Sequence, residues 1–439
     1  MKTVCAALLG AFALASAAPA QAAPPTPAER AMIAAVEAER ERSVKLLEDL
    51  VKVNSGTMNL PGVEQVGRMM RAELEPLGFD VRWVPMKATD RAGHIVAVHK
   101  GNGRGKRLLL IGHLDTVFEP DSPFQAWTRR GDVAEGPGVG DDKGGMVVMI
   151  AALRAMQAAG TLKDADITVV LTGDEEKPGA PLSIGRADLI AAGRASDVAL
   201  DFEGLSREGG RDIGAIARRS ATSWTLRATA RSGHSSGVCR EGPGCGAVYE
   251  LTRILDAFRR ELAEPNLTYN VGILVGGANA SVNEGRTGGQ ASGKSNIIAA
   301  EAVAVGDIRT LSNEQEARVR AKMQAIVARH LPKTEAVLTF EETGYPPMAP
   351  TEGNKALLAR LNEVNRTLGL AEMPQGDPAR RGAGDIAFVS FIDGLVGLGP
   401  AGENSHAPGE TIDLTSLEVQ AKRAALLMTR LSREPRGSR

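Results

Sequence analysis

The chain has 439 residues, enough for two domains with sizeable cores, and its 43% hydrophobic and 24% charged content is ordinary for a globular protein. With 52 Lys+Arg against 53 Asp+Glu it has no charge excess to draw nucleic acid or an anionic membrane. Aromatic residues make up 3%, too few for a base-stacking surface, so neither partner is expected.

The first stretch, residues 1–22, reads as a signal peptide: Lys2 is the basic start, Val4 to Ala15 the apolar core, and Ala20–Ala22 the small-residue cleavage site. A periplasmic or secreted location follows as an expectation. No other stretch is long and apolar enough to anchor the chain. In an oxidising compartment Cys239 and Cys245, which close "CREGPGC", are expected to pair as a disulfide rather than stay as two thiols. A zinc knuckle there has only His234 to draw on.

Glu29 to Val53 has the period of one amphipathic helix, with Leu46, Leu47, Leu50 and Val51 on a face, and a second helix ends at Gly78. "DVRWVPM", "HIVAVHK" and "RLLLIGHLDTV" then read as strands. The helix "KGGMVVMIAALRAMQAAG", the strand "ITVVLTGDEE", the helix "SIGRADLIAAG" and the strand "DVALDFE" follow. Strands that alternate with helices and are apolar throughout predict an α/β domain with a doubly wound mixed sheet. Near Arg218 the order changes to strand–helix–strand twice over, which predicts an inserted ferredoxin-like α+β domain. "GGANASVNEGRTGGQASGKS" within it reads as a Gly-rich loop, and "ATSWTLRATA" as a strand free to pair with a second copy. The expected division is 23–217 and 341–439 for the catalytic domain, with 218–340 inserted.

"GDEE" sets Asp174, Glu175 and Glu176 side by side at a strand's carboxyl end, where like charges repel unless a cation joins them. Other predicted strand ends supply its partners. "GHLDTV" carries His113 and Asp115; "GDDKGG" carries Asp141 and Asp142; "LDFEG" carries Asp201 and Glu203; "NSHAPGE" carries His406. Ligands of open α/β sheets bind beyond the carboxyl ends of the strands, so these segments can converge. Imidazole and carboxylate together suit zinc, and a pair of ions needs a carboxylate between them.

Taken in this order the segments resemble the zinc-dependent metallopeptidase superfamily of glutamate carboxypeptidase, aminoacylase and succinyl-diaminopimelate desuccinylase, closest to the bacterial glutamate carboxypeptidase branch. The resemblance implies two Zn2+ per subunit, with His113, Asp141, Glu176, Glu203 and His406 as ligands and Asp141 between the ions. It implies Glu175 as the general base and Asp115 as the group that orients His113. Asp201 competes with Glu203 on residue type alone, and the family's spacing from Asp197 selects Glu203. His234 matches a histidine that a homodimer's partner lends to stabilise the oxyanion, and the inserted domain becomes the dimerisation lid. Asn296 and Arg309 match residues that grip the substrate carboxylate. The branch's arginine after the inserted domain is missing from "EETGYPPMAPTEG", so Arg309, Arg380 or Arg381 would take its place. The implied substrate is a small peptide or N-acyl amino acid. An aminopeptidase of the same superfamily, or a metal-dependent binding protein without catalysis, are the alternatives.

Overall fold

The computed structural model describes residues 24–436 except residue 343, so the expected signal peptide lies outside the described residues. A six-stranded mixed sheet forms the centre. Its order is Asp80–Pro85, Gly93–His99, Ile167–Thr172, Leu108–His113, Val198–Asp201 and Asp393–Leu395. The last four run parallel and the first two are antiparallel neighbours.

Alternation along the parallel strands feeds two cores. Leu108, Leu110, Val169, Leu171, Val198 and Leu200 face one, and Leu109, Ile111, Val170 and Ala199 the other. On the first face lies the helix Lys143–Ala158, buried almost all round, under helices Pro27–Ala38, Arg40–Val51 and Leu414–Leu431. The opposite face is covered by Ala187–Ala195 and the short turn Asp385–Val389. The sheet is therefore doubly wound, as its pattern predicts.

A second sheet is fully antiparallel, in the order Thr268–Gly277, Glu301–Arg309, Thr222–Ala230, Thr334–Phe340. Helices Ala247–Glu261 and Asn313–Val327 pack on it around Trp224, Phe258 and Met323, the ferredoxin-like arrangement. Two antiparallel bridges, Ala221 to Tyr345 and Arg218 to Met348, mark where the chain crosses between this unit and the central sheet.

Four local expectations need correction. The first predicted helix is two, Pro27–Ala38 and Arg40–Val51, parted at Glu39, whose ψ of 9° leaves the helical range. Both segments pack on Lys143–Ala158 but the first also meets Leu414–Leu431, and a hydrophobic period does not register a one-residue bend. Thr222–Ala230 is not a free edge: it sits between two neighbours, and Thr268–Gly277 and Thr334–Phe340 are the edges. The Gly-rich stretch contains a hairpin of its own, Asn279–Val282 with Gly289–Ser292. "LVGLGP" contributes only Leu395 to the strand Asp393–Leu395. Cys239 and Cys245 are joined as a disulfide, with Cα atoms 4.0 Å apart.

Candidate metal centre and catalytic site

Strands Leu108–His113 and Ile167–Thr172 are parallel neighbours whose last residues pair, His113 beside Thr172. His113 therefore stands next to the turn that carries Asp174, Glu175 and Glu176. Val198–Asp201, on the other side of Leu108–His113, delivers Asp201 and Glu203 to the same end. The N-terminus of the helix Lys143–Ala158 brings up Asp141 and Asp142, joined by a cis peptide. Gly112 makes room for them: a Cβ there would lie 2.6 Å from Asp142 Oδ2.

Asp141 is at the centre of the cluster. Its Oδ1 is 3.0 Å from His113 Nε2 and its Oδ2 is 2.9 Å from His406 Nε2, so each oxygen faces a different imidazole. Glu176 Oε2 lies 3.3 Å from His406 Nε2. One donor atom each from His113, Asp141 and Glu176 falls within 4.8 Å of the others. Behind His113, Nδ1 is 3.1 Å from the Asp115 carbonyl and 3.4 Å from Asp115 Oδ1. That turns Nε2 toward the cluster, the usual effect of a carboxylate behind a metal-ligating histidine. Asp115 also accepts from Thr57 Oγ1 at 2.6 Å and from the amides of Glu175 and Glu176, so one buried carboxylate fixes two of the converging segments.

The electrostatics ask for positive charge. Burial opposes a proton on His113, yet hydrogen bonds to Asp115 and Asp141 raise its pKa well above the usual imidazole range. Contacts with Asp141 and Glu176 push His406 up to about 11. Burial pushes Glu176 up to about 7, and its Oε1 is buried without a hydrogen-bond partner among the described residues. Histidines that take up protons among carboxylates, beside an orphaned carboxylate oxygen, are a donor set suited to divalent cations.

Glu203 and His406 line the same cavity of about 630 Å³ as Asp141 and Glu175. Glu203 stands on Arg218, with 2.6 Å between Oε2 and Nη1, rather than against His113. Asp201, 3.3 Å from the same nitrogen, is buried and is not among the residues lining the cavity. Arg309, Arg380 and Arg381 line the cavity too, with Arg207 and Arg218. His234 and Asn296 do not line it. They lie together elsewhere, where Gly233–His234 pairs with Ile297–Ile298 and the Ser235 amide donates to the Asn296 carbonyl. His234 is exposed, with Nδ1 2.8 Å from Ser236 Oγ.

Three participants were not anticipated from sequence. Asp174 serves neither as ligand nor as base: its Oδ1 is 2.5 Å from the fully buried Arg186. Arg186 also binds Asp385 at 2.7 Å and Tyr345 Oη at 2.7 Å. Glu410, four residues after His406, accepts the amides of Gly138, Gly140 and Asp141 and so fixes the backbone that presents Asp141. Its place in "HAPGE" was the available signal; for Arg186 there was none.

A doubly wound α/β scaffold with imidazoles and carboxylates gathered beyond its parallel strands defines a metal-dependent hydrolase. Residues 109–430 match the peptidase family M20/M25/M40, and the chain belongs to that family. It is 29% identical over 405 residues to carboxypeptidase G2 of Pseudomonas sp. (strain RS-16), covering 89% of each chain. To a succinyl-diaminopimelate desuccinylase of Novosphingobium aromaticivorans it is 28% identical over 393 residues, 86% of this chain and 95% of the other. Among solved structures, a tripeptidase of Staphylococcus aureus shares the fold with a TM-score of 0.68 at 17% identity, covering 90% of this chain and 99% of that one. A Bacillus subtilis dinuclear metal binding peptidase of the M20 family does so with a TM-score of 0.60 at 16% identity, over 90% and 99%.

Proposed function

We propose that the chain is a di-zinc amidohydrolase of carboxypeptidase type, releasing an amino acid from a peptidyl or N-acyl group. The observation that carries this reading is Asp141 with one oxygen on each of two imidazoles, beside Glu176 and Glu175. His113 and Glu203 would hold one ion, Glu176 and His406 the other, and Asp141 both. Arg218 keeps Asp201 as a partner, so Glu203 can serve a cation without leaving a buried guanidinium unpaired. Two divalent cations, when bound, acidify the attacking water and polarise the scissile carbonyl. Glu175 takes the water's proton and hands it to the leaving amine. The test is a screen of N-acyl amino acids and dipeptides with zinc-loaded protein, scored for released amine.

The cavity wall favours an anionic substrate over the free amine that an aminopeptidase would select. Arg381 Nε is buried with no partner among the described residues, while the rest of its guanidinium reaches only Ser206 Oγ and the Gly204 carbonyl. Burial, then the charge of Arg218, disfavours its proton, and the negative charge of a bound carboxylate would offset both. Arg381→Leu is expected to raise KM for carboxylate-bearing substrates about 10–100-fold with kcat within a few-fold. Arg380, exposed and facing Glu208 at 3.3 Å, should matter less. An unmoved KM would take Arg381 out of the substrate site and leave Arg309.

His234 is not among the residues lining the cavity of its own chain, and we propose a homodimer in which each subunit lends it to its neighbour. Co-expressed Glu175→Gln and His234→Ala chains, purified as tagged heterodimers, should then regain activity that neither parent shows. Intact heterodimers as inactive as their parents would place His234 outside the partner's reaction. The disulfide and the leader-like residues 1–22 support export to the periplasm or beyond.

A further inference from the structure

Glu175 is clamped by its backbone on both sides. Its amide donates to Asp115 Oδ1 at 3.0 Å, and its carbonyl accepts from Tyr345 Oη at 2.8 Å. Asp115 belongs to the metal centre already described. Tyr345 does not, and it comes from a distant part of the chain, just beyond the second sheet.

The tyrosine hydroxyl is itself fixed. It accepts from Arg186 Nη2 at 2.7 Å, and the same guanidinium reaches Asp174 Oδ1 at 2.5 Å, the Asp174 carbonyl at 3.2 Å and Asp385 Oδ1 at 2.7 Å. Asp385 in turn accepts from Thr172 Oγ1 at 2.5 Å. The turn after the strand Ile167–Thr172 is thus fastened at Thr172, Asp174 and Glu175 to one buried guanidinium, which only arginine's fork of five donors can serve. Packing holds the ring as well: Phe388 lies edge-on at 5.1 Å between centroids, and the guanidinium carbon is 5.7 Å from both rings.

The backbone of Tyr345 is committed in the other direction. Its amide and carbonyl both bond Ala221, at 2.9 and 3.0 Å, in the pair of extended segments that cross to the second sheet. That sheet supplies Arg309 to the cavity, and Tyr345, Arg309 and Glu175 all line a smaller adjoining pocket of about 390 Å³. A displacement of the crossing therefore moves the atom that anchors Glu175.

We infer that Tyr345 is a positioning residue for Glu175, tying the seat of the second sheet over the substrate to the placement of the base. The inference rests on the reading of Glu175 as base. It assigns Tyr345 no contact with substrate or metal.

Tyr345→Phe removes the hydroxyl and keeps the ring against Phe388. In zinc-loaded full-length protein it should lower kcat about 10–100-fold with KM within about twofold, since an ångström of misplacement is worth about 100-fold. Metal content by mass spectrometry should equal wild type, and amide exchange should quicken in segment 173–178 and not elsewhere. Because the hydroxyl acts through Glu175, Tyr345→Phe added to Glu175→Gln should change the residual rate by less than about twofold. A wild-type kcat, an unchanged exchange rate, a lost metal or a multiplied defect in the double variant would each overturn the inference. Failure of the underlying reading looks different: Glu175→Gln would then turn over like wild type, whatever Tyr345→Phe does.

Discussion

Glu175→Gln is expected to keep the wild-type metal content and, Glu175 being the proposed base, to lose on the order of 10²–10⁴-fold in kcat, the usual worth of a positioned base. The substitution is nearly isosteric, and both backbone anchors, Asp115 and Tyr345, are untouched by it. What changes is the capacity to carry a proton. Burial raises the pKa of Glu175 well above the carboxylate range against the pull of His113, and Glu203, Asp385 and Glu176 add to the rise. A carboxylate held beside the attacking water accepts its proton and can release it to an amine, which an amide side chain does not do. Turnover measured beside metal content separates this from loss of the site. A variant with two metals and near-normal kcat would move the base elsewhere.

The central sheet was legible because its parallel strands are apolar on both faces, and a continuous apolar run ending in His or acidic residues is hard to mistake. Of the residues proposed as ligands, His113 ends one such strand and Glu176 follows another, whereas Asp141 precedes a helix and His406 lies in a turn after Gly402–Glu403. Tertiary partners were not legible. Nothing in "SIGRADL" shows that Arg186 lies buried between Asp174 and Asp385, because an arginine at that period also suits a solvated helix face. Likewise "SWTLRATA" alternates as a half-buried strand should, but alternation reports a face and not the number of neighbours along each edge. The hairpins Thr128–Arg130 with Val133–Glu135 and Asn279–Val282 with Gly289–Ser292 are too short to carry a period at all. His234 was matched by resemblance alone, and it is not among the residues that line the cavity.

Asp141→Ala and Asp142→Ala make the sharpest contrast among the ligands, since the two residues are adjacent, similarly charged and oppositely used. Asp141 sends one oxygen to each histidine, and those imidazoles hold its pKa down against burial. On the proposed di-zinc reading its removal takes away the group common to both ions, so metal content should fall for both and activity should fall with it. Asp142 is fully buried and faces the other way: Oδ2 accepts from the His113 amide at 3.2 Å, and Oδ1 has no partner among the described residues. Burial, then Asp141, Glu203 and Asp201, raise its pKa well above the usual carboxylate range despite His113. Truncating it loses one backbone hydrogen bond, about 0.5–1.5 kcal/mol, and leaves a small void beside Gly112. Asp142→Ala should therefore fold less stably but retain both metals when saturated with zinc. Metal counted by mass spectrometry on the two purified variants decides between them. Equal losses in both would mean that the pair acts as a unit, and full occupancy in Asp141→Ala would remove it from between the ions.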